Sequence, residues 1–416
     1  MTAEPLLQTE WVQRANDAVT AIAEALSDFR DAWYPKNATD IGKQVIRASV
    51  AHGFAGWSLF FAYYGDRARA RELLERAIVD ASESAMAPAL FEGLAGVAWT
   101  AAHLQRLGIV QDDLIGDDID DCFLAHLHDT TRWQNPELVN GAAGIGLYAL
   151  EHWPHGRSAE ILAATLETIE SAAIRDGELV SWFVPPEQMS ERNRRKGTAG
   201  WWDLGIAHGI TGIALFLLSA MKRAPRPERL ADLVHGAVRF IKKHELGEDA
   251  PSRFPAFVIP AFEPQTPSRL AWCYGDLCVA LLFCRAGAQL GDPFLLDRGR
   301  SIARSSTLRH SDAGVVDASL CHGAVGVAHM FGRLASFDDD LLAAKARWLE
   351  RALDLRSSNG VAGFTYSYDF VDFDGSIEHN WIDNPGLLLG AAGIGLGLVS
   401  ALSGDEPSWD RLFLLS

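Results

Sequence analysis

Two cysteines and a histidine stand in matching positions before glycines that open apolar runs. Cys273 lies two residues before Gly275, and Cys321 lies two residues before Gly323 with His322 beside it. Two thiols and one imidazole make a three-ligand zinc set that leaves a fourth coordination position for water or substrate. Taken singly, such cysteines are more often small buried hydrophobic residues, and such a histidine a hydrogen-bonded loop residue. The shared register favours the zinc site.

The remaining three cysteines, Cys122, Cys278 and Cys284, have no such partnership and are predicted to lie in the core. An odd number of scattered cysteines favours reduced thiols over a disulfide framework. The first residues are polar and acidic, without the basic start and apolar stretch of a secretion signal. No apolar segment is long enough to span a bilayer without interruption. We therefore expect a cytoplasmic protein.

Charge and composition exclude some classes of protein. The formal net charge of −17 over 416 residues argues against nucleic-acid binding. Apolar residues make up 48% of the chain, enough for a large core and too many for a disordered protein.

One short motif recurs seven times along the chain. It consists of a glycine, two further residues that are mostly small or apolar, and a second glycine, and an apolar run follows it. The first glycines of the seven copies are Gly53, Gly93, Gly141, Gly209, Gly275, Gly323 and Gly390. In the fifth copy Cys278 replaces the second glycine and is expected to crowd the start of the helix. Runs that are apolar on all sides are typical of helices buried between neighbours, and the amphipathic stretches between them are typical of outer helices.

These repeats predict an all-α protein, an α/α toroid of seven inner and seven outer helices, because a closed ring needs no capping repeats. We expect a single domain over residues 1–416, with loop or short-strand insertions near 176–203, 247–268 and 360–385 at the active-site end. Seven motifs that run the same way place their loops at one end of the ring, where the helix N-termini converge. The residues directly before the first glycines are His52, Glu92, Asn140, His208, Tyr274, His322 and Leu389. Six of the seven are polar or ionisable, which indicates a site at this end.

Three segments give the chain a resemblance to a known family. They are residues 272–275, 321–323 and 207–209, which read Trp-Cys-Tyr-Gly, Cys-His-Gly and Ala-His-Gly. Together with the glycine motifs around them, they resemble the lanthionine synthetase C-like proteins, in particular the stand-alone lanthipeptide cyclases. The resemblance covers nearly the whole chain, and it implies an α/α toroid that binds Zn²⁺.

Residue by residue, the resemblance implies a metal site and a set of catalytic groups. The zinc ligands would be Cys273, Cys321 and His322, and the catalytic residues would be His208, Glu137, Arg269 and Tyr274. His208 would act as a general acid or base. Glu137 stands where cyclases carry an aspartate, and its side chain is expected to reach His208 and orient it. Arg269 would face a developing enolate oxygen or hold the peptide backbone.

The function implied by the resemblance is that of a zinc-dependent lanthipeptide cyclase. Such an enzyme catalyses intramolecular Michael-type addition of peptide cysteine thiols to dehydroalanine or dehydrobutyrine, forming lanthionine or methyllanthionine thioether rings. The expected partners are a dehydrated precursor peptide, a separate dehydratase and a membrane transporter complex. Such a complex would hold the cytoplasmic protein at the membrane periphery.

Other functions share part of this pattern. A lanthionine synthetase C-like protein that adds glutathione or another thiol to dehydrated residues would use every one of the zinc residues. A non-catalytic, zinc-stabilised peptide-binding scaffold of a modification complex would have all four coordination positions filled. A zinc-dependent protein prenyltransferase subunit, which is also an α/α toroid, would need a basic diphosphate pocket, and the acidic balance disfavours one.

Overall fold

The structure of the chain is a computed structural model. It describes residues 3–28, 39–111, 114, 116–131, 133–189, 194, 199–247, 249–260, 265, 267–309, 313–371, 377–404 and 406–416. All seven residues of the predicted site lie within these ranges.

Fifteen α-helices and three short antiparallel strand pairs lie in the described part of the chain. The helices are α1 (Ala3–Asp28), α2 (Asp40–Ala48), α3 (Phe54–Tyr64), α4 (Arg67–Ser82), α5 (Leu94–Arg106), α6 (Asp117–Leu127), α7 (Ala142–His152), α8 (Ser158–Ser171), α9 (Ile210–Ala220), α10 (Pro227–Lys243), α11 (Asp276–Leu290), α12 (Pro293–Ser306), α13 (Ala324–Leu334), α14 (Leu342–Asp354) and α15 (Ala391–Ser403). The strand pairs are β1 (Ile174–Asp176) with β2 (Leu179–Ser181), β3 (Trp202–Asp203) with β4 (Phe257–Val258), and β5 (Tyr366–Val371) with β6 (Ile377–Ile382). The strands lie in or beside the three segments where the sequence predicts insertions.

The helices form two concentric rings, as the repeats predict. The inner ring consists of α3, α5, α7, α9, α11, α13 and α15, each packed against the next, and α15 packs against α3 to close it. Inner helices are apolar all round; in α9, ten of eleven residues are buried. Outer helices bury one face only, as α10 does with Leu233, Val234 and Ile241. The prediction of an α/α toroid with seven inner helices is confirmed.

The seventh outer helix comes from the start of the chain. Helices α4, α6, α8, α10, α12 and α14 each follow an inner helix, whereas α1 packs against α15 and so completes the outer ring. Ala15, Ala18 and Ile22 of α1 are fully buried, at the spacing of one helix face. Arg14 forms salt bridges with Glu350 and Asp354 of α14. The short helix α2, which packs on α4, is additional to the predicted set.

A closed circle of backbone hydrogen bonds joins the seven loops that precede the inner helices. We number these motif loops one to seven in chain order. In each, the carbonyl two residues before the motif glycine accepts a hydrogen bond from the preceding loop; the seven acceptors belong to Ala51, Phe91, Val139, Ala207, Cys273, Cys321 and Leu388. The N–H of Leu388 in loop seven donates to Ala51 in loop one at 3.0 Å, which closes the circle. Cys273 and Cys321 are neighbouring members of this circle.

The second glycine of each motif lets a helix approach the loop before it. A Cβ atom at Gly212 would lie 1.9 Å from the carbonyl oxygen of Ile206, and one at Gly326 would lie 1.9 Å from that of Leu320. No side chain fits in such a gap. The glycine is therefore required by close backbone contact.

Replacing Gly212 by alanine is expected to destabilise the fold by about 1–3 kcal/mol, because the loop must move away from α9 to admit a methyl group. The measurement is the urea midpoint of unfolding. Gly247→Ala is the matched control, since a Cβ there meets nothing within 4 Å. Equal midpoints for the two variants would contradict the steric explanation.

The fifth loop admits Cys278 because its backbone is different. Gly275 has φ +104°, whereas the equivalent glycines of the other loops have negative φ values. The Cys278 thiol donates to the carbonyl of Trp272 at 2.9 Å. It is buried beneath the loop, as predicted for a core cysteine, and so is Cys284. The core prediction for Cys122 is wrong: this residue is exposed on α6, because Phe123 and Leu124 are the residues of that segment that face inward.

The C-terminal segment enters the ring from the end opposite the motif loops, where Asp410 and Arg411 bond to Arg333 and Glu151, and its last residues reach the loops. Trp409, Phe413 and Leu414 are each at most 2% exposed. The Trp272 indole N–H donates to the carbonyl of Phe413 at 2.9 Å, and the two rings contact each other. Trp272 directly precedes Cys273, so this segment supports the loop that carries the first cysteine. Among the described residues, no helix has the length and apolar character needed to cross a bilayer.

Candidate active site

Cys273, Cys321 and His322 form one compact cluster. Each offers a sulfur or ring nitrogen that lies within 4.8 Å of the other two, and all three residues are buried. The hydrogen-bonded circle explains this proximity, because the two cysteines occupy the same position in loops five and six. Helices α11 and α13 begin within three residues of them, so two helix N-termini direct partial positive charge at the sulfurs.

The surroundings shift the pKa values of the two thiols in opposite directions. The neighbouring Cys321 and His322, with the charge of Arg269, hold the pKa of Cys273 well below its ordinary value despite burial. The neighbouring Cys273, together with burial, raises the pKa of Cys321 well above its ordinary value. Two thiolates side by side in this buried position would therefore need a cation next to them.

These residues fit a zinc ion. A divalent cation next to both sulfurs would stabilise them as thiolates, with His322 as a neutral third ligand. Zn–S and Zn–N bonds of about 2.0–2.3 Å span donor separations of this size. Within the described ranges, no fourth His, Cys, Asp or Glu joins the cluster at the same distance. One coordination position is thus left for another ligand.

A histidine–glutamate pair lies on the neighbouring loops. Nδ1 of His208 in loop four is 3.2 Å from Oε2 of Glu137 in loop three, so the longer carboxylate does reach the imidazole. Glu137 is held in turn by the N–H groups of Val139 (2.6 Å) and Asn140 (2.7 Å) and by the amide of Asn135 (2.9 Å). With Nδ1 on Glu137, Nε2 is the ring nitrogen left for a substrate.

The surroundings of His208 favour the protonated imidazole. Burial lowers its pKa, but the negative charges of Glu137, Asp203 and Cys273 and the hydrogen bond to Glu137 outweigh burial and raise the pKa to about 9. The side chain is still 52% exposed, and water there screens part of this attraction. Loop four is tied directly to the metal cluster, because the N–H groups of Ile206 and Ala207 both donate to the Cys273 carbonyl.

Arg269 and Tyr274 form a second pair beside the sulfurs. Nε of Arg269 donates to the Tyr274 hydroxyl at 2.8 Å. Burial and the nearby charge of Cys273 raise the pKa of Tyr274 to about 12, against the opposing charge of Arg269. Tyr274 is therefore a neutral phenol whose own proton is available to donate. The structure thus brings all seven predicted site residues onto loops three to six.

The sequence analysis missed a set of acidic and amide side chains, most of them buried, six residues before the motif glycines. Asn135, Asp203, Asp317 and Asn384 each accept a hydrogen bond from the N–H two residues later, at 2.7–3.3 Å. Asp203 also lies beside His208, and burial raises the pKa of Asp203 to about 7 against the charge of that histidine. The recurrence of Asn or Asp at this one spacing is the signal that would have identified them.

Comparison with known proteins identifies the family. The profile of the lanthionine synthetase C-like proteins matches residues 44–414, nearly the whole chain. The chain belongs to this family. The chain is similar to the nisin biosynthesis protein NisC of Lactococcus lactis subsp. lactis. The two are 21% identical over 268 residues, which are 59% of this chain. The match spans 62% of that relative's length.

A solved structure shares the fold of this family member. Nisin cyclase superposes with a TM-score of 0.71 at 17% sequence identity, covering 89% of this chain and 93% of the other. At this identity the likeness concerns the fold, which is the α/α toroid described above.

Proposed function

We propose that this protein is a zinc-dependent cyclase that forms thioether rings in a dehydrated peptide. The observation that supports this most is the cluster of Cys273, Cys321 and His322 on loops next to an acid–base pair, His208 with Glu137. The names of the relatives, nisin biosynthesis protein and nisin cyclase, agree with such a function. An incomplete ligand set favours catalysis over a purely structural metal site, in which four protein ligands are the rule.

The reaction joins a peptide thiol to a dehydroalanine or dehydrobutyrine residue of the same chain. When bound by Cys273, Cys321 and His322, zinc supplies the deprotonation of the incoming thiol near neutral pH. The sulfur forms a bond to the β-carbon, and the π electrons of the carbon–carbon double bond move into the neighbouring carbonyl as an enolate. A proton then returns to the α-carbon, so the ring has the composition of the open peptide.

The chain's own residues supply the proton and stabilise the charge. His208 is protonated at neutral pH and presents Nε2 away from Glu137, so it delivers the proton to the α-carbon as a general acid. Tyr274 donates its phenol proton as a hydrogen bond to the enolate oxygen, and Arg269 places a positive charge beside it. Glu137 keeps the imidazole oriented and stabilises its charged form.

Removing the metal tests this proposal. Protein treated with a strong chelator is expected to lose ring formation by at least about 10²-fold and to regain it with one equivalent of Zn²⁺. The substrate is a synthetic peptide with one cysteine and one dehydroalanine, and ring closure is followed as loss of the thiol that N-ethylmaleimide labels.

A parallel reaction supplies free glutathione with a dehydrated peptide that lacks cysteine. Faster glutathione addition than ring closure would favour the thiol-adding alternative. Undiminished ring closure after complete metal removal would contradict the zinc-dependent proposal.

A further inference from the structure

A third pair of polar side chains on the motif loops, His52 with Glu92, has no part in the proposed reaction. His52 and Glu92 stand directly before the motif glycines of loops one and two, and Nε2 of His52 lies 3.0 Å from Oε1 of Glu92. Like His208 and Glu137, which join loops three and four at 3.2 Å, the two residues link neighbouring loops, although His52 uses Nε2 and His208 uses Nδ1. Two histidine–carboxylate pairs thus occur on successive pairs of loops.

Glu92 lies across the circle from the metal cluster. The cluster belongs to loops five and six. Loops three and four lie between loop two and loop five, and loops one and seven lie between loop two and loop six. The hydrogen bond from Glu92 to His52, with the charge of His208, holds the pKa of Glu92 below its ordinary value, and burial opposes this only in part. The carboxylate is therefore ionised and within electrostatic reach of His208. The part of a peptide that extends past His208, away from the metal cluster, would lie near this negative charge.

The two members of the pair differ in exposure. The Glu92 side chain is 61% exposed, and that of His52 is 12% exposed. Within the described part of the chain, Oε1 of Glu92 bonds to His52, and Oε2 makes no hydrogen bond to another residue. One carboxylate oxygen of Glu92 is thus held by His52, and the other is left for a ligand.

A structural role explains little of this arrangement. The N–H of Ala51 already donates to the Phe91 carbonyl at 2.9 Å, so the backbone joins loops one and two without the side chains. An ion pair with one largely exposed partner adds little to stability. An ionised carboxylate in an otherwise apolar stretch is better explained by a ligand that the carboxylate binds.

We propose that Glu92 binds the peptide substrate: its carboxylate accepts a hydrogen bond from an N–H donor next to the closing ring, and His52 is the positioning residue that holds the carboxylate in place. This inference rests on the proposed function. The donor is either a backbone amide of the peptide or the side chain of a lysine or arginine, which offer the same chemistry. The net charge of −17 favours peptides that carry such cations.

The test compares Glu92→Gln with Glu75→Gln in the zinc-loaded protein. Glu75 is an exposed glutamate of the outer helix α4 and does not belong to a motif loop, and so is a matched control. Glu92→Gln is expected to raise KM about fivefold or more and to change kcat less than about twofold, because it removes a contact made equally before and during the reaction. Glu75→Gln is expected to match the wild type.

Two synthetic peptides with one cysteine and one dehydroalanine separate the sources of the donor. They are identical except for lysine or alanine beside the dehydroalanine. A rise in KM for both peptides assigns the donor to the backbone, and a rise for the lysine peptide alone assigns it to the side chain. Unchanged KM for both overturns the inference, while a wild-type protein that forms no ring from either peptide refutes the proposed function itself.

The role of His52 has its own readout. His52→Ala is expected to raise KM as Glu92→Gln does, and His52→Gln, which retains an N–H donor, is expected to restore it. Equal KM values for His52→Ala and the wild type would show that Glu92 needs no positioning partner.

Discussion

Replacing His208 by asparagine is expected to slow ring closure by about 10²–10⁴-fold, the usual contribution of a general acid. Asparagine retains an amide that can bond to Glu137 but cannot transfer a proton near neutral pH. Zinc content is expected to stay at one per chain, because His208 is not part of the cysteine–histidine cluster. Single-turnover ring closure and atomic emission of the same sample measure the two quantities.

The pH dependence of the ring-closure rate tests the same role of His208. The pKa of His208 is raised to about 9, so the acid form is present at neutral pH and is lost as pH rises through that value. Glu137→Gln removes the largest attraction that raises the pKa, so the alkaline limb of the rate profile is expected to move to lower pH. A His208→Asn protein with the wild-type rate would remove His208 from the mechanism. An alkaline limb that Glu137→Gln leaves in place would assign that limb to another group.

Cys321→Ala is expected to abolish both stable zinc binding and ring formation. Loss of a direct ligand should weaken metal affinity by more than the roughly 10–100-fold that loss of an outer partner costs. The measurement is the zinc to protein ratio after gel filtration, together with the ring-closure assay.

Cys284→Ala is the matched control, because Cys284 is equally buried but lies between α11 and α12 and is not part of the cluster. It is expected to keep its zinc and its activity. Loss of metal in both variants would indicate general destabilisation, and loss in neither would place the metal elsewhere.

The repeat pattern was enough to predict the two rings and the neighbouring positions of Cys273 and Cys321. Both follow from local signals, since apolar runs and glycines recur at fixed places and equivalent residues of a ring meet at one end. Cys122 shows the limit of such reasoning. Its neighbours Phe123 and Leu124 face inward, and the side of α6 that packs cannot be deduced from a cysteine alone.

Long-range contacts were the part that the sequence did not predict. Packing of α1 on α15 and burial of Phe413 under Trp272 join residues from distant parts of the chain, and neither has a periodic signal. The contact of Glu137 with His208, by contrast, was expected from the family resemblance alone, since periodicity leaves the path of the two loops undetermined. The Asn and Asp turns before the motif glycines give no distinctive signal in any single loop, because Asn and Asp are common in turns, and only their recurrence at one spacing sets them apart.

The hydrogen-bonded circle has a consequence for biosynthesis of the protein. Its last link, from Leu388 to Ala51, joins loop seven to loop one, so it forms only after loop seven has left the ribosome. A nascent chain that has just exposed Cys321 still lacks the seventh loop, whose Leu388 carbonyl accepts the Cys321 N–H. We therefore expect the proposed zinc site to reach its final geometry only after loop seven has joined the circle.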